Sequence, residues 1–519
     1  MTAADGADDR PAARKSAPED AAASSGASSG AAPTGWVADP KRWRALAVTQ
    51  LAAFMSLLDV SIVNVALPSI ERAMAASPAA LQWVISGYAL TYGLALVPAG
   101  RLGDMLGRRR MFLIALATFV VTSAITGAAP TAELLIAARL LQGIAGGMLA
   151  PQNSGLIQEM FRGAERGRAF GILGATIGLA TAAGPIVGGL ILAAFPGHDG
   201  WRWVFYVNVP IGLVALVLAA RLVPAVPAAR RRQHLDLVGA LLLGGGVASL
   251  LLPVVDAGSG GLRRLWWLLV VAILLLIGFV RWESRTVRRD REPLLNPRLI
   301  HVPGYAAGML ISFVYFMGFT GIWLVFALFL QNGLGFSPLR SGLSVTPFAL
   351  GSAISAVIAG ILVPRFGRWL TIVGLAGTAL GLGTTALVLR NASPDRLGWV
   401  IAGPLLLAGI GGGMVTSPNI TLTLESVPVA MAGAAGGTLQ TAQRIGSAIG
   451  TAALAAVFYA VLARTRHDYR AAISVALVCT CGFMLLAIMA AAVELTRRRI
   501  RAARRAAPAP RPEHLTHHM

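Results

Sequence analysis

Along this chain, long apolar runs alternate with short polar connections, and the runs share one length. A helix needs ~20 mostly apolar residues to cross the hydrocarbon of a bilayer. Fourteen stretches come close to it, at approximately 45–67, 81–100, 111–129, 134–154, 169–194, 203–222, 236–254, 265–282, 305–331, 342–362, 370–390, 398–424, 433–463 and 470–494. Each is expected to span as a helix, which predicts an all-α membrane protein with 14 transmembrane helices. Residues 1–40 are rich in Ala, Ser, Asp, Gly and Pro and lack an apolar stretch, so they are expected to form a disordered tail. No cleavable signal peptide is expected: the first apolar run starts near Ala45 and is long enough to span.

Composition agrees. Of 519 residues, 56% are hydrophobic and 13% charged, whereas a soluble domain carries roughly 25% charged residues. The missing charge implies a surface that faces lipid. A net charge of +21 would point to nucleic acid in a soluble protein. Here the arginines fall in the connections between apolar runs, so no nucleic-acid partner is expected. With the N-terminus in the cytoplasm, about 28 basic residues lie on the cytoplasmic side and about 10 on the other, in line with the positive-inside rule. The clearest inside clusters are Arg108–Arg110, Arg230–Arg232 and the run from Arg285 to Arg291. Both termini inside requires an even number of spans.

Other features exclude functions. The lysines are Lys15 and Lys41; they follow Arg14 and Pro40, so neither has the preceding Gly of a phosphate-binding loop. Without an ATP site, transport must draw on an ion gradient or on a separate ATPase, and no cofactor is expected. Cys479 and Cys481 sit two apart in an apolar run and are expected to be packing residues, not a disulfide or metal site. His517 and His518 are read as a polar terminus.

The chain repeats itself. Residues 143–153 read GIAGGMLAPQN and 409–419 read GIGGGMVTSPN; GRLGDMLGRRR at 100–110 returns weakly as GILVPRFGR at 360–368. This pattern implies a duplicated six-helix unit with two helices inserted between the copies. Repeats of this kind place a transport site at their interface, near the midplane.

Five motifs, in order, resemble the major facilitator superfamily and within it the fourteen-span drug:proton antiporters. They are LLDVSIVNVALP at 57–68, GRLGDMLGRRR after the second span, LIAARLLQGIAGG in the fourth, GLATAAGPIVGG at 178–189 and WRWVFYVNVPIG at 201–212. The resemblance covers about 42–495. It implies an N-terminal six-helix bundle (41–222), a linker with two extra helices (223–303), a C-terminal six-helix bundle (304–495) and a basic tail (496–519). In the second copy of the loop motif Pro364 stands where the first has Asp104, so any charge-relay role falls to the first half.

Candidate chemistry follows. Asp59 is the acid placed well away from the end of any span; Glu133, Asp236, Glu283, Glu425 and Glu494 fall near ends. A carboxylate in hydrocarbon is costly and should face the interior. Asp59 is therefore read as a proton carrier that can also meet a cationic substrate, or else as a structural, hydrogen-bonded group. The resemblance makes the first and fourth helices neighbours, which pairs Asp59 with Arg139. It also implies a cytoplasmic latch of Gly100, Asp104, Gly107, Arg108 and Arg109. There Asp104 and Arg108 are spaced to pair, and Asp104 can sit at the positive end of a helix starting near Gly433. Gly178, Gly184, Pro185, Gly188 and Gly189 are expected to form a closely packed bend that limits leak. Asn64, Phe316, Phe319, Trp323, Gln440 and Arg444 are cavity candidates; the aromatics form one helical stripe, and Gln440 and Arg444 share a face.

These readings imply a monomeric, multi-pass protein of the bacterial cytoplasmic membrane. It would export small lipophilic compounds, neutral or monocationic, on the proton gradient, and would not be an enzyme. A dedicated exporter of one self-made antibiotic and a non-transporting membrane receptor are the rival readings.

Overall fold

The computed structural model describes residues 39–225, 236–255, 261–289, 293–393 and 396–506. Most of the N-terminal tail, Arg230–Arg232, Arg291, His517 and His518 lie outside the described residues. Among the described residues the fold is all-helical, with no strand. The helices are α1 (Arg42–Met74), α2 (Pro78–Leu106), α3 (Arg108–Ala128), α4 (Ala132–Met160), α5 (Gly163–Ala194), α6 (Asn208–Leu222, entered through the short turns Gly200–Arg202 and Trp203–Tyr206) and α7 (Leu237–Val255). They continue as α8 (Trp267–Arg288), α9 (Tyr305–Ala327), α10 (Pro338–Phe366), α11 (Arg368–Leu389), α12 (Leu397–Leu424), α13 (Ala432–Arg464) and α14 (Tyr469–Ala506).

Each expected span falls on one of these helices, but not all are equal. Among the described residues, 12 helices are long and apolar enough to cross a membrane. α5 is bent by 46° between Gly163–Thr181 and Ile186–Ala194 and makes a thirteenth if counted as one span. The apolar part of α7, Leu237–Pro253, is shorter than the rest. Pro253 lies two residues before the end of that helix, as expected of a residue that cannot donate to the helical ladder.

Side-chain distribution inverts that of a soluble protein. Leu241, Ile354, Leu380, Leu387 and Trp399 point outward and are exposed, while Asp59, Arg139, Gln142, Gln152 and Asn208 are buried. Lipid solvates the apolar exterior, and the polar groups find partners inside. Because lipid tails are as apolar as leucine, helices associate through close packing of small residues. Where α2 meets α13, a methyl group on Gly100 would collide with the Gly433 carbonyl, and one on Gly433 with the Gly100 carbonyl.

Helices α1 to α6 pack largely on one another, as do α9 to α14, and the two groups touch along α2–α13 and α5–α10. α7 and α8 pair together, with α7 leaning on α2 and α13. The sequence repeat leaves a mark in the backbone. Gly107 (φ 95°) joins α2 to α3, and Gly367 (φ 51°) joins α10 to α11. Each reverses the chain in the left-handed region that favours glycine, and each is followed by a buried arginine, Arg108 or Arg368.

Candidate functional site

Asp59 lies on α1 with its side chain fully buried, and Arg139 on α4 is 1% exposed. Their closest approach, Arg139 Nη1 to Asp59 Oδ2, is 2.5 Å. Two amides complete the shell: Gln142 Nε2 donates to Asp59 Oδ1 at 3.1 Å and Asn208 Nδ2 donates to the same oxygen at 2.9 Å. Arg139 and Gln142 share a face because they are three apart on α4, and Arg139 also donates to Gln142 Oε1 at 2.8 Å. The guanidinium further donates to the Val84 carbonyl at 3.1 Å and lies 4.1 Å from the centre of the Tyr88 ring. A buried carboxylate and a buried cation are thus paired, and both are hydrogen-bonded, as charges removed from water must be.

The pairing of Asp59 with Arg139 was legible in the sequence. Gln142 and Asn208 were not singled out, although both sit inside motifs quoted above. The available signal was an amide within an otherwise apolar run.

A cavity of about 200 Å³ lies between α1, α4 and α5 on one side and α9, α12 and α13 on the other. Phe316, Phe319, Trp323, Gln440 and Arg444 all line it. The aromatic stripe of α9 is a connected edge-to-face stack, with ring centres 5.6 Å apart for Phe316–Phe319 and 5.8 Å for Phe319–Trp323. Gln440 Nε2 donates to Ser154 Oγ across the cavity at 3.3 Å. Arg444 rests 4.4 Å from the centre of the Tyr92 ring.

Two expectations are corrected here. Asn64 does not line the cavity: it is exposed and turns back to the Val60 carbonyl at 3.5 Å, one turn beyond the last lining residues of α1. Asp59 does not line it either. Ser56, Leu57, Val60 and Ser61 present the cavity face of α1, and Asp59 points the other way, toward α4 and α6. In this conformation no cation in the cavity can touch it.

At the end of the molecule that carries the α2–α3 connection, Asp104 caps α13. Gly433 N and Ala434 N donate to its two carboxylate oxygens, both at 3.0 Å. Arg108 Nη2 reaches Asp104 at 2.9 Å, donates to the Val429 carbonyl, and through Nη1 binds the Gly155 carbonyl at 2.8 Å. One carboxylate and one guanidinium therefore tie α2, α3 and α4 to the start of α13. Arg109 turns away and donates to the Ala220 carbonyl at the end of α6.

The glycines of α5 are placed unequally. A methyl group on Gly184 would collide with Ser61 on α1, whose hydroxyl donates to the Ala180 carbonyl at 3.1 Å. At Gly188 the nearest neighbour is Ile62 at 3.0 Å and at Gly178 it is Ser352 at 3.3 Å, while at Gly189 Leu339 stands off at 3.9 Å. The side chain of Pro185 lies outside the described residues; the bend of α5 falls between Thr181 and Ile186.

Glu494 falls near the end of the span Tyr469–Arg498, as expected, but α14 runs on to Ala506 and the side chain is buried. It pairs with Arg368 Nε at 2.6 Å and Arg498 Nε at 2.7 Å. Arg368 also donates to Asn419, the C-terminal counterpart of Asn153 in the repeat. Cys481 packs its thiol against the Ala379 carbonyl at 3.3 Å.

Comparison with known proteins agrees with this architecture. The Major Facilitator Superfamily profile matches residues 50–451. The chain is 36% identical over 439 residues to a probable actinorhodin transporter of Streptomyces coelicolor, covering 83% of this chain and 76% of that one. It is 34% identical over 430 residues to a multidrug resistance protein of Mycobacterium tuberculosis, covering 82% and 77%. The solved structure of the proton:xylose symporter XylE superposes with a TM-score of 0.61 at 16% identity, over 86% of this chain and 94% of that one.

Proposed function

Because this chain belongs to the Major Facilitator Superfamily, we propose that it exports small organic compounds across the bacterial cytoplasmic membrane in exchange for protons. It would work by alternating access between two six-helix bundles, α1–α6 and α9–α14, with α7 and α8 inserted between them to give fourteen spans and cytoplasmic termini. The observation that carries the reading is the sealed Asp59–Arg139 pair, which sits directly behind the helix wall of the cavity. Protonation of Asp59 removes one charge of that pair and leaves Arg139 to its other acceptors. α1 and α4 then lose their charged bond, and the same two helices carry the cavity wall, α1 on the face opposite Asp59 and α4 about three turns further along from Arg139. Proton binding and cavity shape are coupled through the helices, without contact between substrate and carboxylate. The Asp104 latch closes the expected cytoplasmic end, so this conformation corresponds to an outward-facing state.

The relatives bear the names of a single-antibiotic transporter and of a multidrug resistance protein, and a dedicated exporter of one antibiotic is supported as well as broad efflux. A panel of antibiotics and dyes, tested on purified protein in liposomes, separates the two. In the same liposomes, adding substrate on one side should move protons the opposite way. Substrate flux without proton movement would defeat the antiport reading, and no flux of any compound would favour a receptor.

A further inference from the structure

The cavity has one charge, and it is positive. Among the described residues that line it, Arg444 is the ionised side chain, and no Asp or Glu accompanies it. Arg444 makes no salt bridge to a described residue; it rests on the face of Tyr92. The two candidate functional acids are committed elsewhere, Asp59 to Arg139 behind α1 and Asp104 to the start of α13. Two further N–H groups belong to residues of the lining, but both nitrogen atoms are buried. Asn153 lines the cavity at 2% exposure, and its Nδ2 has no partner while its Oδ1 accepts from Gln50. The indole N–H of Trp323, also in the lining, has none either. A guanidinium in the lining with no acid beside it describes a site for a negatively charged oxygen, because a planar guanidinium fork matches a carboxylate. The edge-to-face rings of Phe316 and Phe319 in the same lining suit an aromatic body.

We infer that the cavity binds aromatic organic anions, with Arg444 as the counter-ion. This rests on the cavity being the transport site proposed above, and it replaces the sequence-based expectation of a neutral or monocationic substrate. Its monocationic half required Asp59 to face the substrate, which it does not.

The test is equilibrium binding to the purified full-length protein of three probes sharing one fused-ring skeleton: a carboxylate, its neutral amide and a trimethylammonium analogue. The carboxylate should bind about ten-fold or more tightly than the amide, the size expected for hydrogen bonds to a charged group, and the ammonium probe weakest. In Arg444→Gln the carboxylate-to-amide ratio should fall toward one, and Arg444→Lys should retain part of it. Should Arg444→Gln not fold, the three-probe order in the unaltered protein still decides. Equal binding of carboxylate and amide, tighter binding of the ammonium probe, or an anion preference that survives Arg444→Gln would each overturn the inference. Binding reads the cavity and flux reads the coupling, so the two readings fail separately. Anion preference without proton-linked flux defeats antiport alone; proton-linked flux without anion preference defeats this inference alone.

Discussion

Replacing Asp59 by Asn keeps the size of the side chain and removes both the charge and the titratable proton. The structure indicates what else it does. Arg139 is 1% exposed, and without Asp59 it becomes a buried cation with no counter-ion. Removing one member of a buried pair destabilises by about 3–5 kcal/mol. The Val84 carbonyl, Gln142 Oε1 and the Tyr88 ring still hold the guanidinium, which places the expected loss near the lower end, about 3 kcal/mol. Asp59→Asn should therefore lower thermal stability in detergent as well as abolish pH-driven transport, and the single variant confounds the two effects. The double variant Asp59→Asn/Arg139→Gln separates them, since it removes both charges and leaves amides that can bond to Asn208 and Gln142. It should recover much of the lost stability and still show no response to a pH gradient. The assay is substrate flux in liposomes under a pH gradient and, separately, under a substrate gradient alone. Pump rates equal to those of the unaltered protein under a pH gradient in the double variant would refute the coupling role of the pair. Loss of downhill flux together with pH-driven flux, at restored stability, would make the pair a structural strut.

Asp104→Asn keeps at most one good acceptor for the two backbone N–H groups at the start of α13 and loses the ion pair with Arg108; labelling of a cavity cysteine, introduced as Ser447→Cys, from the outer side should then fall, and unchanged labelling from both sides would reduce Asp104 to an anchor. Gly184→Val should cripple transport because its side chain meets Ser61, whereas Gly189→Ala should be tolerated; equal flux defects in the two would show that close α1–α5 packing is not what matters. Exchange of one exported monoanion for one imported proton moves two charges inward per cycle, and each is worth ~2.3 kcal/mol per 100 mV. A membrane potential alone, negative on the substrate-loaded side, should therefore drive efflux of the carboxylate probe; indifference to the potential would mean an electroneutral cycle.

Much of this protein follows from its sequence, because the bilayer leaves few choices. A run of about twenty apolar residues must form a spanning helix, and each of the fourteen runs falls on a helix; among the described residues 12 of these are long and apolar enough to cross a membrane, 13 with the bent α5, while the apolar part of α7 is shorter. Helical spacing places Gln440 and Arg444 on one face, and both line the cavity. The expected cap of Asp104 at a helix starting near Gly433 is present as well, since a carboxylate at the end of a helical bundle has few positive ends to reach. Helical phase, however, states which residues share a face and not what that face meets. Only tertiary packing decided that the face of α1 bearing Asp59 turns toward α4 and α6 and the one bearing Ser56 and Val60 toward the cavity. It also brought in Gln142 and Asn208 from distant helices, and a longer α14 buried Glu494 against Arg368. The charge of the cavity was therefore invisible in a count of acids: it depends on which ionised groups are already paired elsewhere, and pairing is set by the contacts between helices.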